Sequence, residues 1–499
     1  MSEMLQSLGL GLSVAATPGN LWYCFLGALI GTLIGVLPGL GPIATMAMLL
    51  PLTYYLEPTA ALIMLAGIYY GAQYGGSTTA ILMRVPGESS SVVTCLDGYE
   101  MAQRGRAGTA LATAALASFF AGTVTTLLIA FFSPPLTAVA QKFGPAEYFA
   151  LMVLGLIAAV VFAQGSLLRS FGMILLGLLL GLVGADVNTG LDRFTFGYPE
   201  LRDGIGIAAL SMGVFGIAEI VLNLGKPQAE GAQRQAVSAL RLTRADFRAA
   251  WPAALRGTGL GALLGILPGG SAMMGSFAAY SIEKKISKTP ERFGEGAIEG
   301  IAGPEAANNA GAQASFIPML ALGIPSNSVM AMMAGAMLIH GIAPSPNLAS
   351  AQPKLFWGLI ASMWIGNLML LVINLPLIGL WVRLLAVPYR LLFPAILLFC
   401  CIGIYTVNSS VFEVTLLALF GLAGVVFSLL KCPLAPLVLA FILGPLMEEN
   451  LRRAMLLSNG NAAIFLSPIS ITLLIVAVVL LALILLPSFR KVRAVAAEE

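Results

Sequence analysis

GTLIGVLPG at residues 31–39 returns as GALLGILPG at residues 261–269, with six of nine positions identical across an interval of 230 residues. Each copy closes a charge-free stretch on a Pro-Gly pair, Pro38-Gly39 and Pro268-Gly269. Proline removes a backbone donor and clashes with the preceding turn, so each pair reads as a break in a helix. In a bilayer, the backbone groups such a break frees survive only where protein or a water-filled cavity satisfies them. Breaks at matching positions of two halves point to a binding site between them.

The composition sets this pattern in a membrane. The chain is 58% hydrophobic and 10% charged, against about 25% charged in soluble domains. Residues 4–56, 58–83, 107–141, 257–282, 306–353, 355–382 and 454–489 contain no Asp, Glu, Lys or Arg. Each has room for one or two spans of about 20 residues. The 55 glycines and 28 prolines suit packed, broken helices rather than the short alternating segments of a β-barrel. The expected fold is an all-α polytopic membrane protein of roughly ten to fourteen spans or half-spans. It is expected to consist of two repeated halves, inverted relative to each other, each with a Pro-Gly-broken helix and a re-entrant hairpin.

Charge distribution orients it. Basic residues gather at Arg104 and Arg106, across 226–256, at Lys284, Lys285, Lys288 and Arg292, and at Arg490, Lys491 and Arg493. The positive-inside rule puts 225–256 and the C-terminus in the cytoplasm. The divisions expected are a first transmembrane half over 1–224, a cytoplasmic linker over 225–253, a second half over 254–487 and a cytoplasmic tail over 488–499. The basic linker reads as a topology signal, not as a nucleic-acid surface. Cys24, Cys95, Cys400, Cys401 and Cys432 lack metal-ligand spacing and read as packing residues. The N-terminus has no Lys/Arg-rich leader region and is expected to remain as a short interfacial helix.

In the first half, a span near 20–37 is expected to break at PGLGP (38–42) and resume to about residue 55, followed by a span over 59–74. YGGSTTAILMRVPGESSS (74–91) then reads as a re-entrant hairpin, because its apolar run Ile81–Met83 is too short to cross. The second half repeats the plan: a span near 254–267, a break at PGGS (268–271), and a hairpin in GIAGPEAANNAGAQASFIPMLALGIPSNS (300–328). LMRVPGES (82–89) aligns with ALGIPSNS (321–328), sharing Pro86 with Pro325 and Ser89 with Ser328.

A broken helix offers N–H groups to a carboxylate at one end and carbonyls to a cation at the other. Neutral oxygens and amides complete such a shell without adding buried charge. The substrate-binding candidates are therefore Pro38, Gly39, Gly41, Ser77, Thr78, Thr79, Pro86, Gly87, Pro268, Gly269, Asn308, Asn309, Pro325, Ser326 and Asn327. Glu305, between apolar stretches where a charge is expensive, reads equally as a coupling-ion candidate, together with Ser89 and Ser328, or as an anchor for the backbone N–H groups of its hairpin. Glu88 and Asp97 read as solvated loop carboxylates, Glu219 as a helix-packing carboxylate, and His340 as a packed helix-end residue. No nucleophile elbow, metal cluster or acid–base pair is evident, so no enzyme, cofactor or metal is expected beyond a coupling cation such as Na⁺.

These motifs resemble the large membrane subunit of the tripartite tricarboxylate transporter family, often called the TctA family. The resemblance is carried by LPGLGP (37–42), YGGSTTAIL (74–82), VPGE (85–88), LDGYEMAQRGRAGTAL (96–111), GILPGG (265–270), FGEGAIEGIAGPEAANNA (293–310) and LALGIP (320–325). It implies a secondary transporter of the bacterial inner membrane, working with a small membrane subunit of about four helices and a periplasmic solute-binding protein. The binding protein would deliver a di- or tricarboxylate such as citrate, and a cation gradient, Na⁺ in the first reading, would drive uptake. A proton-coupled importer of another small organic anion is the alternative. The pattern departs from the family at PGGS (268–271) and GIPSN (324–327), where PGAG and GIPGS are usual. A membrane enzyme on lipid-linked substrates and a channel-like structural subunit are the rival classes; the first would need a convergent catalytic pair within the spans.

Overall fold

A computed structural model of the chain describes residues 2–37, 41–163, 166–186, 189–224, 240–267, 272–384 and 389–485. It is 81% helical, with one short antiparallel ribbon pairing Gly184–Ala185 with Asp192–Arg193. Among the described residues, five helical stretches are long and apolar enough to cross a membrane: Pro18–Val36, Thr94–Ala140, Pro353–Asn374, Val411–Leu429 and Leu434–Leu457. Shorter apolar helices account for most of the remaining expected segments.

After α1 (Ser2–Ala15) come α2 (Pro18–Val36), α3 (Pro42–Thr53) and α4 (Pro58–Met83). Proline in the first turn starts each of the last three, where its missing donor costs nothing. Glu57 caps α4 by accepting from the Ala60 N–H at 3.2 Å. Glycines set the pairing. A Cβ on Gly27, Gly31 or Gly35 of α2 would lie 2.2–2.4 Å from the carbonyl oxygens of Met64, Ile68 and Ala72 of α4. Such contact is the small-residue mode by which membrane helices approach closely. Because the partner numbers rise together, α2 and α4 run parallel, so α3 carries the chain back between them. The expected single interrupted span is thus corrected to a helix ending at Val36 and a returning half-helix starting at Pro42.

α4 also runs on to Met83, so 74–83 is helical and not the first arm of a hairpin. Its Gly, Ser and Thr serve helix packing: Gly71 and Gly75 sit against the backbone of Ala28, Thr32 and Val36. The chain reverses at Arg84 (φ 58°), passes through the 3₁₀ turn Ser89–Ser91 and enters α5 (Thr94–Met101). Then follow α6 (Ala107–Ala140), α7 (Pro145–Phe162), α8 (Leu167–Gly181), α9 (Ile207–Ser211) and α10 (Ala218–Leu224), the last two joined by a π-type turn over Met212–Ile217.

The second half opens with α11 (Arg244–Ile266), α12 (Ala272–Ile286), α13 (Glu299–Ala314), α14 (Phe316–Leu322) and α15 (Ser328–Ile339). Residues 244–253, read from the sequence as linker, are helical because Thr243 and Asp246 form a reciprocal cap: the Asp246 N–H donates to Thr243 Oγ1 at 3.1 Å, and the Thr243 N–H donates to Asp246 Oδ2 at 3.1 Å. The glycine pairing repeats. A Cβ on Gly257, Gly261 or Gly265 would lie 2.1–2.3 Å from the carbonyl oxygens of Gly303, Ala307 and Gly311. α11 and α13 are therefore parallel, and α12 is the returning element. Gly323 (φ 73°) makes the reversal that Arg84 makes in the first half.

The chain closes through α16 (Leu348–Ala351), α17 (Pro353–Asn374), α18 (Ile378–Leu384), α19 (Tyr389–Asn408), α20 (Val411–Leu429), α21 (Leu434–Leu457) and α22 (Pro468–Leu485). Three contacts fix the ends. Tyr55 donates to the Thr406 carbonyl at 2.6 Å, Arg106 pairs with Asp246 at 2.6 Å, and Arg452 reaches Asp186 at 2.6 Å.

Candidate functional site

The last helical residue before the first break and the first described residue after the second reach one core. Val36, the last residue of α2, and Ala272, the first of α12, belong to the same apolar cluster. Pro38, Gly39, Pro268 and Gly269 lie outside the described residues. Gly41 N-caps α3, and its N–H donates to Glu219 Oε1 at 3.3 Å, so Glu219 of α10 reaches the first break.

Beside the breaks, inside the apolar core, sits a polar cluster built from both halves. Glu305 of α13 is fully buried. Its carboxylate accepts from Ser77 of α4 at 2.6 Å, from Thr94 of α5, and from Ser118 of α6 at 3.5 Å. Asn309 donates to Ser118 at 2.6 Å and to the Glu305 carbonyl at 3.1 Å. Asn308, one residue earlier, is completely buried, and neither its Nδ2 nor its Oδ1 closes a hydrogen bond of ordinary geometry. Among the described residues, no Lys or Arg forms an ion pair with Glu305 or Glu88. A buried carboxylate held by hydroxyls alone is costly to keep ionised.

A cavity of about 20 Å³ borders this cluster, lined by Tyr74, Ser77, Thr78, Ser118 and Asn374 among others. That is room for about one water-sized species. The walls are tied by further side-chain bonds. Tyr74 donates to Asn367 Oδ1 at 2.7 Å, and Thr126 to Gln313 Oε1 at 2.7 Å.

The other sequence candidates fall around this centre. Thr78 and Thr79 return their hydroxyls to α4 carbonyls, those of Tyr74 at 3.5 Å and Gly76 at 3.0 Å. Gly87 is wedged against the α2 turn: a Cβ there would lie 2.1 Å from the Gly35 carbonyl oxygen. Pro86 is half-buried beside it, and Ser89 is exposed. In the second half Pro325 is buried, and Ser326 donates to the Ser315 carbonyl at 3.2 Å. Asn327 caps α15 by accepting from the Met330 N–H at 2.9 Å, with buried Ser328 opening the helix. The structure therefore joins Ser77, Glu305 and Asn309 directly, while the Pro325–Ser328 group ties back to Ser315.

Two carboxylates read as solvated are not. Asp97 is fully buried, its Oδ1 accepting from the N–H groups of Gly294, Gly296 and Ala297 at 2.7–2.9 Å. Glu88 is half-buried and hydrogen-bonded to Ser90. Thr94, Ser118, Gln73 and Ser90 escaped the sequence reading. An isolated hydroxyl in an apolar helix carries no local signal, and only the fold brings these onto the carboxylates. His340 caps the end of α15, as expected.

The family described as "Tripartite tricarboxylate transporter TctA family" matches residues 21–439. A protein of Agrobacterium vitis, described as "Uncharacterized 52.8 kDa protein in TAR-I ttuC' 3'region", is 56% identical over 494 residues, 99% of this chain and 98% of its own length. A second from that organism, "Uncharacterized protein in TAR-II ttuC' 3'region", is 56% identical over 234 residues, 47% of this chain and 97% of its own length. No solved structure matches. The match over 21–439 takes in both Pro-Gly breaks and every residue of the polar cluster, and the chain belongs to the tripartite tricarboxylate transporter TctA family.

Proposed function

We propose that the chain is the large transmembrane subunit of a binding-protein-dependent secondary transporter, importing a citrate-like di- or tricarboxylate on a cation gradient. The observation that carries this reading is the Glu305 cluster: a fully buried carboxylate, without a Lys or Arg partner among the described residues, that ties the two halves together. Movement of one half against the other would alter its hydroxyl shell, so cation occupancy and conformation are linked there. Glu305 is accordingly the group we assign to the coupling cation, Na⁺ in the first instance and a proton in the second, with Ser89 and Ser328 at the two reversals as further candidates. The substrate carboxylates would lie near the α3 and α12 helix starts, where the positive ends of the helix dipoles favour anions.

The orientation of the triplets supports an inverted repeat. α4 ends near Arg84, which lies 3.8 Å from Glu100 of α5, and Arg106 just beyond pairs with Asp246 at the start of α11. The α11–α13 triplet thus begins where α2–α4 ends, and each helix with its returning partner would enter and leave on one side. In this arrangement the basic linker and tail face the cytoplasm of a bacterial inner membrane. A small membrane subunit and a periplasmic binding protein would complete the transporter.

Uptake of labelled citrate into proteoliposomes holding this chain and its small partner tests the reading. Accumulation that needs both loaded binding protein and an inward cation gradient is expected. A panel of di- and tricarboxylates that gives no accumulation under Na⁺ or proton gradients would overturn it.

A further inference from the structure

The two carboxylates of the cluster are furnished differently. Glu305 is fully buried and accepts from the three hydroxyls of Ser77, Thr94 and Ser118, the surroundings of an ionised group. Glu88 has too few hydrogens around it. Ser90, with one hydroxyl hydrogen, lies within bonding distance of both Glu88 Oε1 and Gln73 Oε1, the latter at 3.0 Å. Two carbonyl-type acceptors, Glu88 Oε1 and Gln73 Oε1, thus share one hydroxyl hydrogen. One added hydrogen on Glu88 serves this set: it goes to Ser90 Oγ while Ser90 donates to Gln73 Oε1. Glu88 is also half-buried, whereas Glu305 is sealed, so Glu88 is the member open to exchange.

We propose that Glu88 is an exchangeable proton site, with Ser90 as the acceptor of its hydrogen and ionised Glu305 as the fixed charge that holds the proton there. The step is a simple protonation: one proton enters, an O–H bond forms on Glu88, and the same bond breaks when the proton leaves. This rests on the transporter reading, takes the second of its two coupling cations, the proton, and seats it on Glu88 with Glu305 as the charge that draws it. The titratable groups facing the pair are Tyr69 and Tyr74 from α4 and Cys95 from α5. Nearby, Asp97 is taken up by backbone N–H groups of 294–297, and Glu283 of α12 by Arg256 at 2.7 Å. α6, which supplies Ser118, carries no titratable side chain over 107–140. Among the described residues, Glu305 is the neighbouring carboxylate that competes with Glu88 for the proton.

Infrared difference spectra of the purified full-length chain, titrated with pH in choline or in Na⁺ buffers without substrate, test this directly. A protonated-carboxyl band that titrates in choline is expected, lost in Glu88→Gln and retained in Glu305→Gln with its midpoint moved to lower pH. Gln73→Leu, which frees the Ser90 hydrogen for the carboxylate, should move the midpoint the same way, which keeps the test open if Glu88→Gln does not elute as a folded species. A band with unchanged midpoint in folded Glu88→Gln, or none in the wild type at any pH, overturns the proposal. Carboxylate bands that shift with Na⁺ alone would assign the site to a metal cation and overturn it equally. Because no substrate is present, a titrating Glu88 without citrate uptake would retain this site and sink the importer reading. Uptake indifferent to pH and to Glu88→Gln would sink the site alone.

Discussion

Ser77 of α4 donates its hydroxyl to Glu305 of α13 across 2.6 Å, so one half of the chain solvates the charge of the other. A hydrogen bond to a buried charged group contributes about 1.5–3 kcal/mol. Ser77→Ala is therefore expected to lower cation-driven uptake by roughly tenfold or more, and Glu305→Gln to abolish the cation dependence while leaving the folded protein in the membrane. Proteoliposome uptake with and without the gradient checks both. Wild-type gradient dependence in Glu305→Gln would remove Glu305 from coupling.

The glycine contacts predict a stability pattern independent of transport. A Cβ on Gly31 would lie 2.3 Å from the Ile68 carbonyl oxygen, and one on Gly261 2.2 Å from that of Ala307, whereas a Cβ on Gly9 meets nothing within 4 Å. Backbone cannot yield as a side-chain tip does, so each helix pair must separate. Gly31→Ala and Gly261→Ala are each expected to cost about 1–3 kcal/mol or more, with Gly9→Ala near neutral. Thermal unfolding in detergent reads the difference, and equal midpoints for the three variants would contradict the close pairing.

How far the sequence disclosed this molecule depends on the range of the signal. The Pro-Gly pairs and the charge-free runs are local, and they foretold apolar helices that stop at Val36 and Ile266. Chain direction after each break was not legible. Nothing in PGLGP says whether the next helix continues or turns back; the register of Gly27, Gly31 and Gly35 against Met64, Ile68 and Ala72 decides it. Those glycines were in view as small residues, but their partners lie about 37 positions away. The cluster divides similarly. Glu305 and Asn309 stood out as polar residues in an apolar stretch, while Thr94 and Ser118 became meaningful only once α5 and α6 were packed on α13. Asp97 was misread because a hydrophilic neighbourhood in sequence, LDGYE, is not a solvated one in space.

Ser326 marks the departure from the usual family pattern, and its hydroxyl is spent on the Ser315 carbonyl at 3.2 Å. Our hypothesis is that this bond fixes the second reversal and narrows the choice of carboxylate. Ser326→Gly is expected to fold and to widen the range of di- and tricarboxylates that compete for transport. Competition of a carboxylate panel against labelled substrate measures this, and an unchanged profile would remove Ser326 from specificity.

At the polar start of α11, ahead of its apolar stretch, Asp246 joins the halves through Arg106 at 2.6 Å. Burial acts to raise its carboxyl, but the hydrogen bonds from Arg106 and Thr243 outweigh burial and hold it below the usual carboxylate range. A lowered folded value means that ionised Asp246 stabilises the fold. The contribution is complete above the ordinary carboxylate range and is lost as pH falls through the lowered value. Asp246→Asn should therefore cost about 1–2 kcal/mol near neutrality, and the gap between variant and wild type should close in acid. Detergent unfolding curves at several pH values report it. A gap that persists unchanged into acid would mean that the aspartate acts as a neutral helix cap, and that its charge contributes nothing to holding the two halves together.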